Sequence, residues 1–242
     1  MGREFYRSEM LLGSDAMQKL HESHVAVVGL GGVGSFAAEA LARAGVGVLT
    51  LVDNDTISET NLNRQLVALH STLGRSKAEV MGERILDINP NISLYIIKER
   101  YCAASRENFF SERFSYIIDA IDLVTDKLDL INSAKNFGVP IISALGTGNK
   151  FDASRLVITD ISKTRDCSFA KVIRKELRTR GVLHHTILYS PELPKKAVSE
   201  EAPPPGRRSI PGSLIWVPAS AGLMLAGHVV MSLAGIEANT NA

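Results

Sequence analysis

Cysteine is scarce: Cys102 and Cys167 are the only two in 242 residues, and they form no C-x-x-C pair. That scarcity excludes a disulfide framework and a four-cysteine zinc site, and it suits a reducing, cytoplasmic setting. An excess of either charge is also lacking, since 27 Lys and Arg stand against 26 Asp and Glu for a net of +1. A polyanionic partner would therefore have to be met by a local basic patch. The first residues, MGREFYRSEMLLG, carry charge throughout and lack the apolar centre expected of a signal peptide. No internal repeat is found. What remains is ordinary globular composition, 45% apolar and 22% charged, in a chain long enough for one large domain.

One long apolar run is present. Residues 214–236, LIWVPASAGLMLAGHVVMSLAGI, hold no formal charge and are long enough to span a bilayer. Pro218 suits a first helical turn, and the repeated Gly, Ala and Ser suit close helix packing. No Lys/Arg cluster flanks the run, so a buried helix of the core or of a subunit interface is expected and membrane association is not.

Along the first 145 or so residues, short Val- and Ile-rich runs alternate with helical stretches. The pattern predicts strands at 24–29, 47–53, 92–98, 115–119 and 139–144, with helices at 33–44, 76–88 and 123–137. This is the texture of parallel βαβ units. After Gly148, RLVITD (155–160) and VLHHTILYS (182–190) read as strands flanking a helix at 168–179. Residues 191–212 hold six prolines and many charges, which predicts a mobile loop. The expected fold is α/β: a doubly wound, Rossmann-like, mostly parallel sheet extended by antiparallel strands and flanked by helices. The expected organisation is one domain over 1–242, with a nucleotide-binding half (1–148) and a specificity half (149–242).

The stretch VAVVGLGGVGSF carries the first chemistry. Gly29, Gly31 and Gly34 fit G-x-G-x-x-G, with Gly32 as an extra glycine, and Asp53 ends the next strand where an acid can hold a ribose hydroxyl. A dehydrogenase would show as much. The residues after Asp53 separate the cases: Asn61, Arg64 and Lys77 place an amide and two cations beyond the turn. Cations at the outer phosphates are what attack on an α-phosphorus requires, because charge builds on the departing pyrophosphate. Farther on, IIDAIDLVTDK ends an apolar strand with Asp119 and Asp122, carboxylates placed to face a ligand crevice and to hold Mg²⁺.

In combination, Gly29 to Gly34, Asp53 with Asp55, Thr60 to Gln65, Lys77 and the Asp119/Asp122 strand end resemble the ubiquitin-activating-enzyme-like adenylyltransferases, over roughly residues 5 to 150. The resemblance implies that ATP is the ligand of Gly29, Gly31, Gly32, Gly34, Asp53, Asp55, Asn61, Arg64, Gln65 and Lys77. In particular, Asp53 would bind the ribose, Asn61, Arg64 and Lys77 the phosphates, and Asp122 the Mg²⁺. It implies a homodimer as well, in which Arg7, on a free N-terminal arm, reaches the partner's ATP site. One position departs from the pattern: many such enzymes have Asn directly after the metal-binding Asp, and Leu123 stands here.

Two carboxylates qualify as the group to be activated. Enzymes of sulfur-carrier pathways adenylate the C-terminus of a small ubiquitin-like protein, and they commonly carry a zinc site that this chain lacks. The second half favours another acceptor. From Lys163 to Arg180 there are seven basic residues and two acidic ones, and Lys171, Arg174, Lys175 and Arg178 share one helix face. Arg207 and Arg208 add to them, a set suited to a phosphate backbone. This half, with LYSPELP and GSLIWVPASAGLMLAG, is similar to the tRNA threonylcarbamoyladenosine dehydratases, which extends the resemblance over nearly the whole chain. It implies tRNA as partner and an ATP-dependent cyclisation of the threonylcarbamoyl group on the adenosine next to the anticodon. A sulfur-acceptor or cysteine desulfurase partner leaves no readable trace, and the glycines with Asp53 alone would also serve a nicotinamide-dependent dehydrogenase. Cys167, beside several cations, invites a thioester role, although ring closure within one substrate needs no covalent relay. His184 and His185 face opposite sides of a strand and make a poor metal pair.

Overall fold

The computed structural model describes residues 2–198 and 210–236. Two helices, α1 (Tyr6–Leu12) and α2 (Ser14–Glu22), precede the first strand. Then come β1 (His24–Val28), α3 (Gly34–Arg43), β2 (Val48–Val52), α4 (Lys77–Ile88), β3 (Ser93–Ile97) and the short α5 (Arg106–Phe109). The chain continues through β4 (Tyr116–Asp119), α6 (Val124–Asn136), β5 (Ile141–Ala144), β6 (Val157–Asp160), α7 (Ser168–Thr179), β7 (Thr186–Tyr189) and α8 (Trp216–Ala234).

The seven strands form one sheet in the order β3-β2-β1-β4-β5-β7-β6. Every neighbouring pair is parallel except β6 and β7, where Asp160 stands opposite Thr186. Strand β4 is buried at all four positions and β1 at four of five, as expected for strands covered on both faces. The order reverses between β1 and β4, so their carboxyl ends open a crevice of the kind that holds ligands in open α/β sheets. Strand β7 is shorter than its apolar run. His185 already turns away from the ladder, using its carbonyl for Ile161 N–H and its own N–H for Asp160.

The apolar run 214–236 becomes α8, a core helix with one solvent-facing side. Val217, Ala221, Leu225, Ala226 and Val229 are buried with α3 in the larger core, whereas Leu223 is exposed. Gly222 permits a close approach: a Cβ there would lie 2.3 Å from the Val33 carbonyl at the start of α3. The C-terminal half of the chain thus packs directly on the helix that follows the glycine turn. Burying such a face stabilises by roughly 1.5–3 kcal/mol per large aliphatic side chain.

The N-terminal segment is no free arm. Its charges hide an amphipathic α2 whose Met17 and Leu20 reach the core, and Phe5 is buried with them. Helix α1 leaves Tyr6, Met10 and Leu11 largely exposed, with Arg7 exposed among them.

Candidate active site

The crevice is built from the turns after β1, β2 and β4. Gly29 has φ +92°, a left-handed value that a side chain would resist, and a Cβ there would stand 2.8 Å from the Ala120 carbonyl. At Gly34 the added atom would lie 1.8 Å from the Gly29 carbonyl. The turn therefore folds tightly upon itself, and α3 starts where its free N–H groups face an incoming anion.

Asp53 ties this turn to the next strand. Its carboxylate accepts from Leu30 N–H at 2.6 Å and from Asp55 N–H at 2.8 Å. Burial holds the Asp53 carboxyl above the usual carboxylate range, opposed by the nearby Lys77 ammonium and by those two N–H groups. Lys77 opens α4 just after its cap Ser76, and is buried with its ammonium 2.8 Å from Asp55. Asp55 thus holds the Lys77 cation beside the glycine turn, with the Asp53 carboxylate close enough to feel its charge.

Asn61 and Gln65 lie buried on the 3-10 and turn segment that follows β2. Asn61 Oδ1 accepts from Ser58 N–H at 3.2 Å. Gln65 Nε2 would stand 3.8 Å from a Cβ on Gly31, and its Oε1 is buried without a hydrogen-bond partner. An orphaned acceptor over a glycine turn is a group that a ligand or water ordinarily satisfies. Arg64 is folded back on its own turn, donating to the Thr60 carbonyl at 2.7 Å and to Asn63 Oδ1 at 2.9 Å.

Under the crevice lies an ion pair that the sequence did not announce. Lys127 and Asp119 are both 0% exposed, with Nζ 2.7 Å from Oδ2. Asp119 Oδ1 also accepts from Ile121 N–H at 3.0 Å, which fixes the bend that carries Asp122. Burial pulls the Lys127 ammonium below its ordinary value, while Asp119 and, after it, Asp122 pull the other way. Asp122 itself is exposed at the carboxyl end of β4. Leu123 is the N-cap of α6 and uses its backbone carbonyl for Lys127 N–H, so no side-chain cap is made. The signal for Lys127 was a charge on an apolar face: Leu130, Ile131 and Ala134 follow at helical spacing and are buried with it.

The carboxyl ends of β5 and β7 continue the same edge. Here Lys150 is buried and donates to the Glu192 carbonyl, and the Glu192 carboxylate takes the N–H groups of Phe151 and Asp152. Cys167 caps α7 by accepting from Ala170 N–H at 3.5 Å, a structural use of the thiol. On α7, Lys171, Lys175 and Arg178 are exposed. Arg174 differs: its guanidinium turns inward to the Thr164 carbonyl at 2.6 Å and to the Thr164 hydroxyl, so it does not stand on the open face with the other three. Arg207 and Arg208, with the middle of the Pro-rich segment, lie outside the described residues. His184 is exposed beside Asp160, while His185 is buried with Nε2 2.8 Å from Ser143 Oγ. The two rings indeed point apart.

The ThiF family pattern matches residues 5–242. The chain is similar to the tRNA threonylcarbamoyladenosine dehydratase of Bacillus subtilis, 42% identical over an alignment covering 96% of this chain and 95% of that one. Its structure is similar to that of Escherichia coli tRNA N6-threonylcarbamoyladenosine dehydratase in complex with AMP, with a TM-score of 0.88 and 33% identity, covering 96% of this chain and 94% of that one. Against the same enzyme in complex with ATP the TM-score is 0.87, with the same identity and coverage. Residues, fold and comparisons agree: this chain belongs to the ThiF family.

Proposed function

We propose that this protein is an ATP-dependent tRNA threonylcarbamoyladenosine dehydratase, which adenylates the carboxylate of the threonylcarbamoyl group and lets the group close on itself. The observation that carries the reading is one crevice where the glycine turn, Asp53 and Lys77 meet, in a chain similar to a dehydratase over 96% of its length. That length includes the second half, which favours tRNA over a ubiquitin-like sulfur carrier.

The substrate carboxylate is ionised near pH 7 and is itself the nucleophile, so the first step needs no general base. A carboxylate oxygen bonds to the α-phosphorus as the bond to the bridging oxygen breaks, and pyrophosphate leaves with that electron pair. Lys77 and Arg64 neutralise the departing charge, Lys77 by exchanging Asp55 for phosphate and Arg64 by swinging from its own turn. The glycine turn, the start of α3 and Asn61 hold the phosphates, while Asp53 holds the ribose and Gln65 lies over the turn. The ureido group of the substrate then attacks the acyl carbon. AMP leaves with the former carboxylate oxygen, a proton passes to solvent, and a five-membered ring remains with net loss of water.

Mg²⁺ takes one or two protein carboxylates and completes its shell with phosphate and water. Among the described residues no group of three or more His, Cys, Asp or Glu could hold a metal by itself. A single exposed carboxylate at a strand end therefore fits an ion shared with the triphosphate, and Asp122 would hold it. When bound, such an ion neutralises charge on the pyrophosphate.

Lys171, Lys175 and Arg178, with Arg207 and Arg208, would meet the tRNA backbone. The exposed face of α1 supports a homodimer in which Arg7 serves the partner's nucleotide. Two free cysteines suit the cytoplasm, and no step calls for a sulfur-acceptor or desulfurase partner. Incubation with ATP, Mg²⁺ and threonylcarbamoylated tRNA should yield AMP, pyrophosphate and a nucleoside lighter by one water. An unchanged nucleoside mass with intact substrate would refute the reading.

A further inference from the structure

The chain's single tryptophan is only partly packed. Trp216 begins α8 and is 50% exposed, and Phe151, on the loop after β5, is 54% exposed. The two are tied together, since the indole Nε1 donates to the Phe151 carbonyl at 2.7 Å. An indole anchored through its one polar atom presents its ring to solvent in a fixed place, unlike a loose surface side chain. Phe151 is held too, through its N–H to the buried Glu192 carboxylate.

This aromatic pair lies next to the crevice. Two residues beyond Trp216, Pro218 is the nearest side chain to Gly32, 3.3 Å from where a Cβ would stand. Just before Trp216, the Ser213 carbonyl takes the amide of Asn63, the neighbour of Arg64, at 3.0 Å. On the other side, the residues after Phe151 open into a cavity of about 530 Å³ whose lining includes Arg155 and Lys195. Of the acids there, Asp152 is bonded to Ser154 and Glu192 to backbone N–H groups, while Asp166 also lines the wall.

The reaction sets a geometric demand. A group on an anticodon-loop base must bring its carboxylate to the α-phosphorus, so that base or its neighbour must leave the stack. Unstacked RNA bases are received on aromatic faces, with cations on the flanking phosphates. We propose that Trp216 and Phe151 form a stacking platform for an unpaired base of the tRNA anticodon loop, with Arg155 and Lys195 taking its backbone phosphates. The proposal rests on the dehydratase reading and gives it a place for the RNA.

The sole tryptophan is its own reporter. Titration with an anticodon stem-loop oligoribonucleotide should quench the Trp216 emission, saturating together with binding measured by fluorescence anisotropy of an end-labelled copy. Trp216→Ala and Phe151→Ala should each raise the KM for tRNA by about five- to a hundredfold, as loss of one stacked base implies. In both, kcat and ATP affinity should stay within about twofold, and Trp216→Phe should recover most of the KM. Thermal melts of the variants exclude unfolding as the cause. Full RNA binding with unchanged emission, and unchanged KM in both alanine variants, overturns the platform even where the lighter nucleoside is still made. Altered sedimentation of the variants with unchanged KM makes the pair a contact between copies of the chain and likewise overturns it. Absence of both RNA binding and product overturns the platform together with the reading beneath it.

Discussion

The crevice between β1 and β4 and the β5–β7 end of the same sheet edge are built on opposite principles. In the crevice the groups are already bonded to one another: Asp53 to Leu30, Lys77 to Asp55, and Asp119 to Lys127. At the β5–β7 end the cations Arg155 and Lys195 stand exposed, Lys171, Lys175 and Arg178 are exposed along α7, and the aromatics Phe151 and Trp216 are more than a third open. Chemistry on a triphosphate draws on groups held in place beside it, such as the glycine turn and the start of α3, whereas a large anionic partner is met by surface charge and accessible rings. The difference teaches where each kind of substitution should be felt.

The sharpest way to break the rigid side is to remove its buried cation. Lys127→Met leaves Asp119 buried and unpaired, and should destabilise the fold by about 3–5 kcal/mol in urea unfolding. The double variant Lys127→Met with Asp119→Asn should regain much of that, and a loss under about 1 kcal/mol in the single variant would deny the pair its place. Lys77→Ala comes next. Turnover should fall by about 10²–10³-fold, as on removal of one group that stabilises transition-state charge. Because Asp55 is largely exposed and is rehydrated when Lys77 is lost, the melting temperature should change far less than the rate.

A pH-dependent effect joins the two regions. His185, on Ser143 beside the crevice strands, has its pKa pushed down to about 3 by burial and by Lys135 and Lys127. The folded protein keeps this ring neutral, while the unfolded chain takes up its proton below about pH 6.5. Stability from this residue is thus complete above pH 6.5 and falls toward pH 3, by at most about 1.4 kcal/mol per pH unit. Melting curves across that range should fall less steeply in His185→Gln, and equal slopes would remove the assignment.

The smallest effects belong to the open side. Replacing Lys171, Lys175 and Arg178 together by Ala should weaken tRNA binding roughly alike for all sequences. The slope of log affinity against log salt should drop by about 2–3. Arg174→Ala should instead lower stability and leave that slope alone, since its guanidinium already serves Thr164.

The same contrast explains what could be read from the residues. Parallel strands covered on both faces are runs of Val, Ile and Leu, so the sheet stood out; the glycine turn did too, because its backbone admits no side chain at Gly34. Helices α1 and α2 did not, since short, charge-rich turns are helical only through what Phe5, Met17 and Leu20 bury. Helical spacing gave the angular position of Arg174 but not its preference for a backbone carbonyl. The sequence likewise offered no sign that Arg64 donates to the Thr60 carbonyl. Trp216 sat at the margin of an apolar run that read as core, but it opens α8 and stands half exposed.

Isotope transfer tests most directly whether the acid attacks the innermost phosphorus. With ¹⁸O in the threonylcarbamoyl carboxylate, one labelled oxygen should appear in AMP and none in pyrophosphate. Label in inorganic phosphate, with ADP as the spent nucleotide, would contradict the account.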